Sequence, residues 1–206
     1  MKYRQVKRPR PDMKTAHNFF KEGSFSIDPI AHYTSSEERE AEIEAIAEDL
    51  EQLAKKFPRT QNIEYALLKA HLIIEHVLLQ YIRAYATTHV AVKDVKAGFA
   101  QKLEIAYLLG FGVNDPRMLP TVEGLNRLRN QIAHTFELDR ARLDEILRIN
   151  SEDYDNFSVS TDRQRVTRLR QICRYLCARV SGQMMGEFAV VQYFEEERQQ
   201  EWKSSR

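Results

Sequence analysis

Apolar residues recur at spacings of three and four along most of this chain, which is the pattern of helices that bury one face. A first helix is expected to begin at the capping box of Ser35 and Glu38 and to end before Pro58, because the residue ahead of a proline resists helical geometry. A second helix, over 62–87, is apolar on nearly every side. Such a helix is typical of the centre of a fold or of a surface shared with a partner chain.

The same spacing predicts four more helices, over 99–109, 119–136, 140–149 and 162–200. Gly110 is expected to end the third helix, because glycine readily adopts the left-handed conformation that closes a helix. Gly182 and Gly186 interrupt the last helix and indicate either a kink or a close contact with another helix. No segment has the pattern of a strand, so the predicted fold class is an all-α helical bundle.

The predicted domain organisation is one helical bundle with a tail at each end, because 206 residues suit a single core. Residues 1–33 are basic, contain prolines and lack apolar periodicity, so they are expected to form a flexible N-terminal arm. We interpret the arm as a solvated tail, with a nucleic-acid-binding arm as the alternative. The bundle is placed at 34–201 and a short C-terminal tail at 202–206.

Composition and charge restrict the possible partners. The formal net charge is +1, so any attraction to nucleic acid must come from local patches. No apolar run follows the basic residues of the N-terminus, and the longest apolar stretch, at 73–82, is too short to cross a bilayer. We therefore expect a cytoplasmic protein without a membrane partner. Cys173 and Cys177 are four residues apart on one helix face and are expected to be buried core residues rather than a disulfide or a metal site.

The fourth predicted helix contains the residues best suited to chemistry. Arg129, Asn130 and His134 lie beside its expected core face, which consists of Leu125, Leu128, Ile132 and Phe136. An arginine can bind a phosphate through two parallel hydrogen bonds, and a histidine can exchange a proton near neutral pH. Asparagine can orient either group. Attack by an RNA 2′-hydroxyl on the adjacent phosphate needs only these groups, so no metal and no cofactor are expected.

Residues 129–134, Arg-Asn-Gln-Ile-Ala-His, resemble the Arg-polar-x-x-x-His motif of HEPN domains. The segment at 102–110 is also similar to the helix that precedes the motif in several branches of that family. The resemblance covers about 37–136 and, more loosely, the last helix. It implies a helical bundle that commonly forms homodimers, with two motifs facing each other in a composite active site. It further implies that Arg129 binds phosphate, Asn130 orients it and His134 transfers protons.

Many HEPN proteins are metal-independent ribonucleases that act as toxins of toxin–antitoxin pairs or in phage defence. In the branch that pairs with nucleotidyltransferase antitoxins, a tyrosine that is modified follows the histidine by two residues. This chain has Phe136 at that position, so neutralisation by that modification is not expected.

Glu75 is a further candidate for the site, because it interrupts an apolar helix face and a carboxylate there needs a partner. Arg129 is the expected partner, and a glutamate in this helix resembles the polar third member of many HEPN sites. A purely structural pair is the alternative. His71, one turn earlier, is expected to be a hydrogen-bonded core histidine, and His76 to be structural or exposed.

Six arginines between 163 and 179 form a basic run on the last helix. Arg168 and Arg174 are the RNA-binding candidates, because neither occupies the apolar stripe of that helix. A solvated helix face whose arginines pair with acidic neighbours is the alternative.

Taken together, these patterns predict a homodimeric, metal-independent endoribonuclease that cleaves RNA, with an antitoxin protein as a possible partner. Two alternatives remain open. The upstream helix and the Arg–His motif also resemble mannitol operon repressor-like proteins, which are non-catalytic helical regulators. A helical scaffold or an antitoxin-like binding subunit, with the last helix as its interface, is the other alternative. For the motif itself, the alternative is that the arginine and the histidine make structural hydrogen bonds.

Overall fold

The computed structural model describes residues 36–85, 97–151 and 153–204, and in these ranges the chain forms helices and no strand. The helices are α1 (Ser36–Lys55), α2 (Ile63–Tyr85), α3 (Phe99–Leu108), α4 (Met118–Thr135), α5 (Arg140–Ile149) and α6 (Asp162–Ser204). The prediction of an all-α fold is therefore confirmed. The arm predicted over 1–33 and the capping residue Ser35 lie outside the described residues.

Helix α2 is central to the fold, because it packs against α1, α3, α4 and α6. Its fully buried side chains include Leu67, Ile74, Leu78 and Tyr81. A row of large apolar side chains on α2 is nevertheless exposed, and we call it the open face of α2: Tyr65, Leu68 and Leu72. The single chain thus covers most of this helix and leaves one apolar side facing solvent.

Helix α6 packs against α1 and α2 through a buried stripe, as its apolar spacing predicted. The stripe consists of Val166, Leu169, Cys173, Leu176 and Val180. Both cysteines are free and buried, and burial raises the pKa of both thiols, that of Cys177 to about 12.

The last helix is longer and more regular than the sequence indicated. It continues through Gly182 and Gly186 and ends at Ser204. The helix extends this far because no glycine or proline follows Gly186. No described atom lies within 4 Å of the position of a Cβ at either glycine, so of the two predicted alternatives the close contact with another helix is not found in the described chain. Most of the tail predicted at 202–206 is helical for the same reason.

The turn between α3 and α4 is built as the glycine pattern predicted. Gly110 has a φ of 96° and its N–H donates to Tyr107 O at 2.9 Å, which closes α3. Asp115 is buried just before α4 and accepts hydrogen bonds from Arg117 and from the Tyr175 hydroxyl. The pKa of Asp115 is lowered to about 2, mainly because its carboxylate accepts hydrogen bonds from Arg117.

Two contacts fix α4 in the bundle. A Cβ at Gly124 would lie 2.7 Å from Ile146 Cδ1, so the glycine allows α5 to approach α4 closely. On another side, Asn126 Oδ1 lies 3.1 Å from His71 Nε2, which joins α4 to α2. The residues that follow Asn126 on α4 are therefore held in a defined position beside α2.

Candidate functional site

Helix α4 presents the three residues of the predicted motif to solvent. Arg129, Asn130 and His134 are all exposed, and Arg129 Nη1 donates a hydrogen bond to Asn130 Oδ1 at 3.1 Å. His134 belongs to the last turn of the helix, one turn after Asn130. Exposed guanidinium, amide and imidazole groups on one helix are accessible to a polar ligand that approaches from solvent.

Phe136 departs from its expected place in the core. Helix α4 ends at Thr135, and Phe136 adopts a left-handed backbone with a φ of 60°, while its N–H donates to Ile132 O at 2.9 Å. This conformation turns the chain away from the line of Leu125 and Leu128, so the side chain of Phe136 is 83% exposed. The interpretation of Phe136 as a core residue is therefore wrong.

Glu75 pairs with a residue that the sequence did not indicate. Lys102 Nζ, on α3, lies 2.7 Å from Glu75 Oε1, and both side chains are largely buried. The expectation that Arg129 is the ion-pair partner of Glu75 is wrong, because α3 brings an ammonium group closer to the carboxylate. Lys102 belongs to the segment that resembles the helix before the motif, but nothing in its spacing indicates its partner.

The side chain of His71 lies between α2 and the part of α4 that precedes the motif. It is only 6% exposed, its ring stacks on Phe99 with centroids 4.4 Å apart, and it is hydrogen-bonded to Asn126. Burial is the main cause of the lowered pKa of His71, and the nearby charge of Arg129 lowers it further. The hydrogen bond with Asn126 and the charge of Glu75 raise the pKa and so oppose this shift. His71 is therefore neutral at neutral pH and donates from Nε2 to Asn126 Oδ1. This is the hydrogen-bonded core histidine that the sequence predicted.

His76 lies apart from this group, as expected for a structural residue. Its Nε2 is 2.5 Å from Asp49 Oδ2, and Gln80 contacts both side chains. Across the described residues, no group of three or more histidine, cysteine, aspartate or glutamate side chains is arranged to hold a metal ion.

The basic run on α6 divides into two sets. In the first set, the arginine head groups are held within the fold. Arg165 is buried and forms ion pairs with Asp144 at 2.7 Å and with Asp162 at 3.1 Å. Arg170 and Arg179 donate to backbone carbonyl groups of the loops before α2 and α4. Arg165 follows the alternative interpretation, in which the arginines pair with acidic neighbours, whereas Arg170 and Arg179 bind backbone oxygens instead.

Arg168 and Arg174 form part of the second set, because both are exposed. Arg168 Nη1 lies 3.4 Å from Gln171 Oε1, which is a weak local contact. The two arginines are six residues apart, which places them about 120° apart around the helix axis. In the described part of the chain they therefore do not share one cationic face.

None of the described helices combines the length and the apolar composition that a bilayer crossing requires. Comparisons of the chain with known protein families, with curated proteins and with solved structures found no match. The chemistry assigned to the site therefore depends on the side chains of α4 and their neighbours on α2 and α3.

Proposed function

We propose that this chain is a metal-independent endoribonuclease of the HEPN type. The observation that carries the proposal is the group of exposed polar side chains on α4, in which Arg129 contacts Asn130 and His134 follows one turn later. Arg129 binds a non-bridging phosphate oxygen and offsets the charge that develops in the transition state. Asn130 holds the guanidinium group in orientation, and His134 transfers protons.

The proposed reaction is a transesterification within the RNA. The 2′-oxygen forms a bond to the adjacent phosphorus while the bond from phosphorus to the 5′-oxygen breaks. One imidazole accepts the proton of the 2′-hydroxyl, and a second donates a proton to the departing 5′-oxygen. The products are a 2′,3′-cyclic phosphate and a 5′-hydroxyl. Two imidazoles are available in a composite site, because each of two facing chains supplies His134.

The open face of α2 supports a homodimer. Leu68 and Leu72 are one turn apart, and both belong to an exposed apolar row at helical spacing. Glu75 follows Leu72 by three residues, so its carboxylate lies on the same side of α2. A partner chain on this face would be adjacent to the Glu75–Lys102 pair and to His71, which contacts α4. We therefore assign Glu75 to the edge of the composite site.

In the proposed cellular role, the protein is a cytoplasmic toxin of a toxin–antitoxin pair or a phage-defence nuclease. Growth arrest on expression is the expected phenotype, and an antitoxin protein would relieve it. Arg168 and Arg174 are exposed on different faces of α6, and each is proposed to make a separate contact with the RNA backbone outside the cleavage site.

The test compares wild-type protein with Arg129→Ala, His134→Ala and the control variant Arg127→Ala. Arg127 is exposed on the same helix but faces another direction and pairs with Glu123 at 3.1 Å. Each purified protein is incubated with total RNA in EDTA, and circular dichroism verifies its fold. We expect cleavage by wild type and Arg127→Ala, and none by the other two variants.

The opposite result has a definite meaning. If the wild type leaves every RNA intact while all four proteins fold alike, the nuclease proposal is wrong. The open face of α2 then favours the non-catalytic regulator, because an exposed apolar helix face is suited to binding a protein partner.

A further inference from the structure

Phe136 combines two features that folding of the single chain does not explain. Among the described residues it is the non-glycine residue with positive φ, and bulky side chains rarely adopt that conformation. Its ring is also 83% exposed, so burial of the ring does not offset the backbone strain. A glycine or an asparagine would end α4 at this position with less strain. Strain of this kind concentrates at functional sites.

The backbone around Phe136 is held firmly on both sides. Before it, the Thr135 hydroxyl donates to Gln131 O at 3.0 Å and accepts from Glu137 N at 3.4 Å. After it, Leu138 is buried, and Asp139 caps α5 by accepting a hydrogen bond from Arg142 N at 3.0 Å. The exposed ring is therefore attached to a well-defined turn and requires little ordering when it binds a ligand.

We propose that the Phe136 ring is a stacking platform for a base of single-stranded RNA, at the end of α4 that carries His134. This inference rests on the proposed function and assigns a base-binding residue to it, because stacking requires an unpaired base. Phe136 follows His134 by two residues and lies just beyond the last turn of α4, so the ring and the imidazole belong to the same end of the helix. An RNA strand bound at the motif therefore passes the end of α4, where the Phe136 ring offers an aromatic surface to one of its bases.

The surroundings of the ring favour a nucleobase over a protein partner. Residues 133–137 are all exposed, and apart from Ala133 and Phe136 they are His134, Thr135 and the acidic Glu137, so the ring is not part of a contiguous apolar patch in this segment. A protein interface requires a contiguous apolar patch, whereas a nucleobase requires one aromatic face with polar groups around it. Stacking on a phenylalanine is also tolerant of base identity, so the platform selects single strands more than it selects sequences.

The test measures RNA binding separately from cleavage. The probe is a short single-stranded RNA with 2-aminopurine among its bases and a 2′-O-methyl group on every nucleotide. The methyl groups block the 2′-hydroxyl attack at every position, and 2-aminopurine reports stacking by fluorescence quenching. Wild type is compared with Phe136→Trp, which keeps an aromatic face, and with Phe136→Leu, which does not. Leu108→Ala is the matched control, because Leu108 on α3 is also 83% exposed.

We expect Phe136→Trp and Leu108→Ala to bind within about twofold of wild type, and Phe136→Leu to bind about tenfold more weakly with loss of quenching. Size-exclusion chromatography with light scattering follows the oligomeric state of each variant. An unchanged affinity and unchanged quenching in Phe136→Leu would overturn the inference. A change of oligomeric state without a change in RNA affinity would also overturn it, since the ring would then contact protein.

Failure of the proposed function gives a different result. If wild type binds the probe through Phe136 but cleaves no RNA, the stacking platform stands and the nuclease proposal fails. If wild type cleaves RNA and Phe136→Leu binds and cleaves equally well, only the stacking inference fails. Absence of any RNA binding by wild type overturns the inference directly.

Discussion

Lys102 Nζ lies 2.7 Å from Glu75 Oε1, and this ion pair joins α3 to α2 beside the candidate site. Both side chains are largely shielded from water, and the neighbouring side chains of α2 are mostly apolar. A carboxylate in such a place depends on its cation, because an unpaired charge near an apolar surface is costly. The pair therefore contributes to the position of α3 as well as to the charge balance of the site.

We predict that Lys102→Met lowers the free energy of unfolding by about 1–2 kcal/mol, since it leaves the Glu75 carboxylate without its partner. The double variant Lys102→Met with Glu75→Gln should recover most of this loss, because the uncompensated charge is then absent. Urea unfolding of the wild type, both single variants and the double variant gives the coupling free energy between the two side chains. If Glu75→Gln changes the free energy of unfolding by the same amount in the wild type and in Lys102→Met, the pair is not coupled.

Arg165 and Arg168 lie on the same helix, but Arg165 is buried in ion pairs whereas Arg168 is exposed. We predict that Arg165→Ala lowers the free energy of unfolding by about 2 kcal/mol, because it leaves the Asp144 carboxylate without its cation, while Arg140 still pairs with Asp162. Arg168→Ala should change it by less than about 0.5 kcal/mol. Urea titrations test both values. Equal losses in the two variants would contradict the division of the basic run into two sets.

The pH dependence of stability should report on Asp115. Its pKa in the folded protein is about 2, below the ordinary value of 3.8, so the carboxylate stabilises the fold above about pH 4. That contribution, about 2 kcal/mol, is lost as the pH falls through the folded pKa. Asp115→Asn should therefore flatten the fall in stability between pH 4 and pH 2.5, measured by urea unfolding. Glu145→Gln, at an exposed position on α5, should leave the fall unchanged.

Phe136→Gly should stabilise the folded chain by about 1 kcal/mol, because glycine adopts the left-handed conformation without the steric cost that a side chain incurs. Phe136→Ala is the matched control, since it removes the ring but keeps the Cβ and hence most of the strain. Differential scanning calorimetry of the three proteins tests the order of stability. A glycine variant that melts below the alanine variant would mean that the backbone at 136 is not strained.

Leu72→Glu should convert the proposed dimer to a monomer, because it places a charge on the open face of α2, where Leu72 is 56% exposed in the single chain. Helicity should stay unchanged, as the side chain adds little to the core of the chain. Light scattering after size-exclusion chromatography measures the mass. Val113→Glu, at a 70% exposed position in the turn before α4, should remain dimeric. A wild type that is monomeric at every concentration tested would contradict the prediction.

The positions and ends of the helices could be predicted from sequence because they depend on local residue patterns. Apolar spacing, the proline at 58 and the glycine at 110 gave helix ends within a few residues of those observed, and α5 coincides with its predicted range. The neutral, hydrogen-bonded state of His71 was also predictable, since a histidine within an apolar face needs a partner. These features depend on residues within one or two turns.

The partners of charged side chains could not be predicted in the same way. Glu75 and Lys102 are 27 residues apart, so their contact depends on how α3 packs against α2. Arg165 and Asp144 are 21 residues apart and meet because α5 packs against α6. Phe136 shows a different limit, because ending α4 one residue earlier than predicted moved its ring from the expected core face to solvent.

The two buried cysteines of α6 make the opening of the bundle measurable. A thiol with a raised pKa and no access to solvent reacts with a labelling reagent only after its helix has opened. Cys173 and Cys177 lie on the face of α6 that packs against α1 and α2. Their rate of alkylation in native buffer therefore measures how often α6 separates from the other two helices. Repeated across low denaturant concentrations, that rate distinguishes local opening of one helix from unfolding of the whole domain.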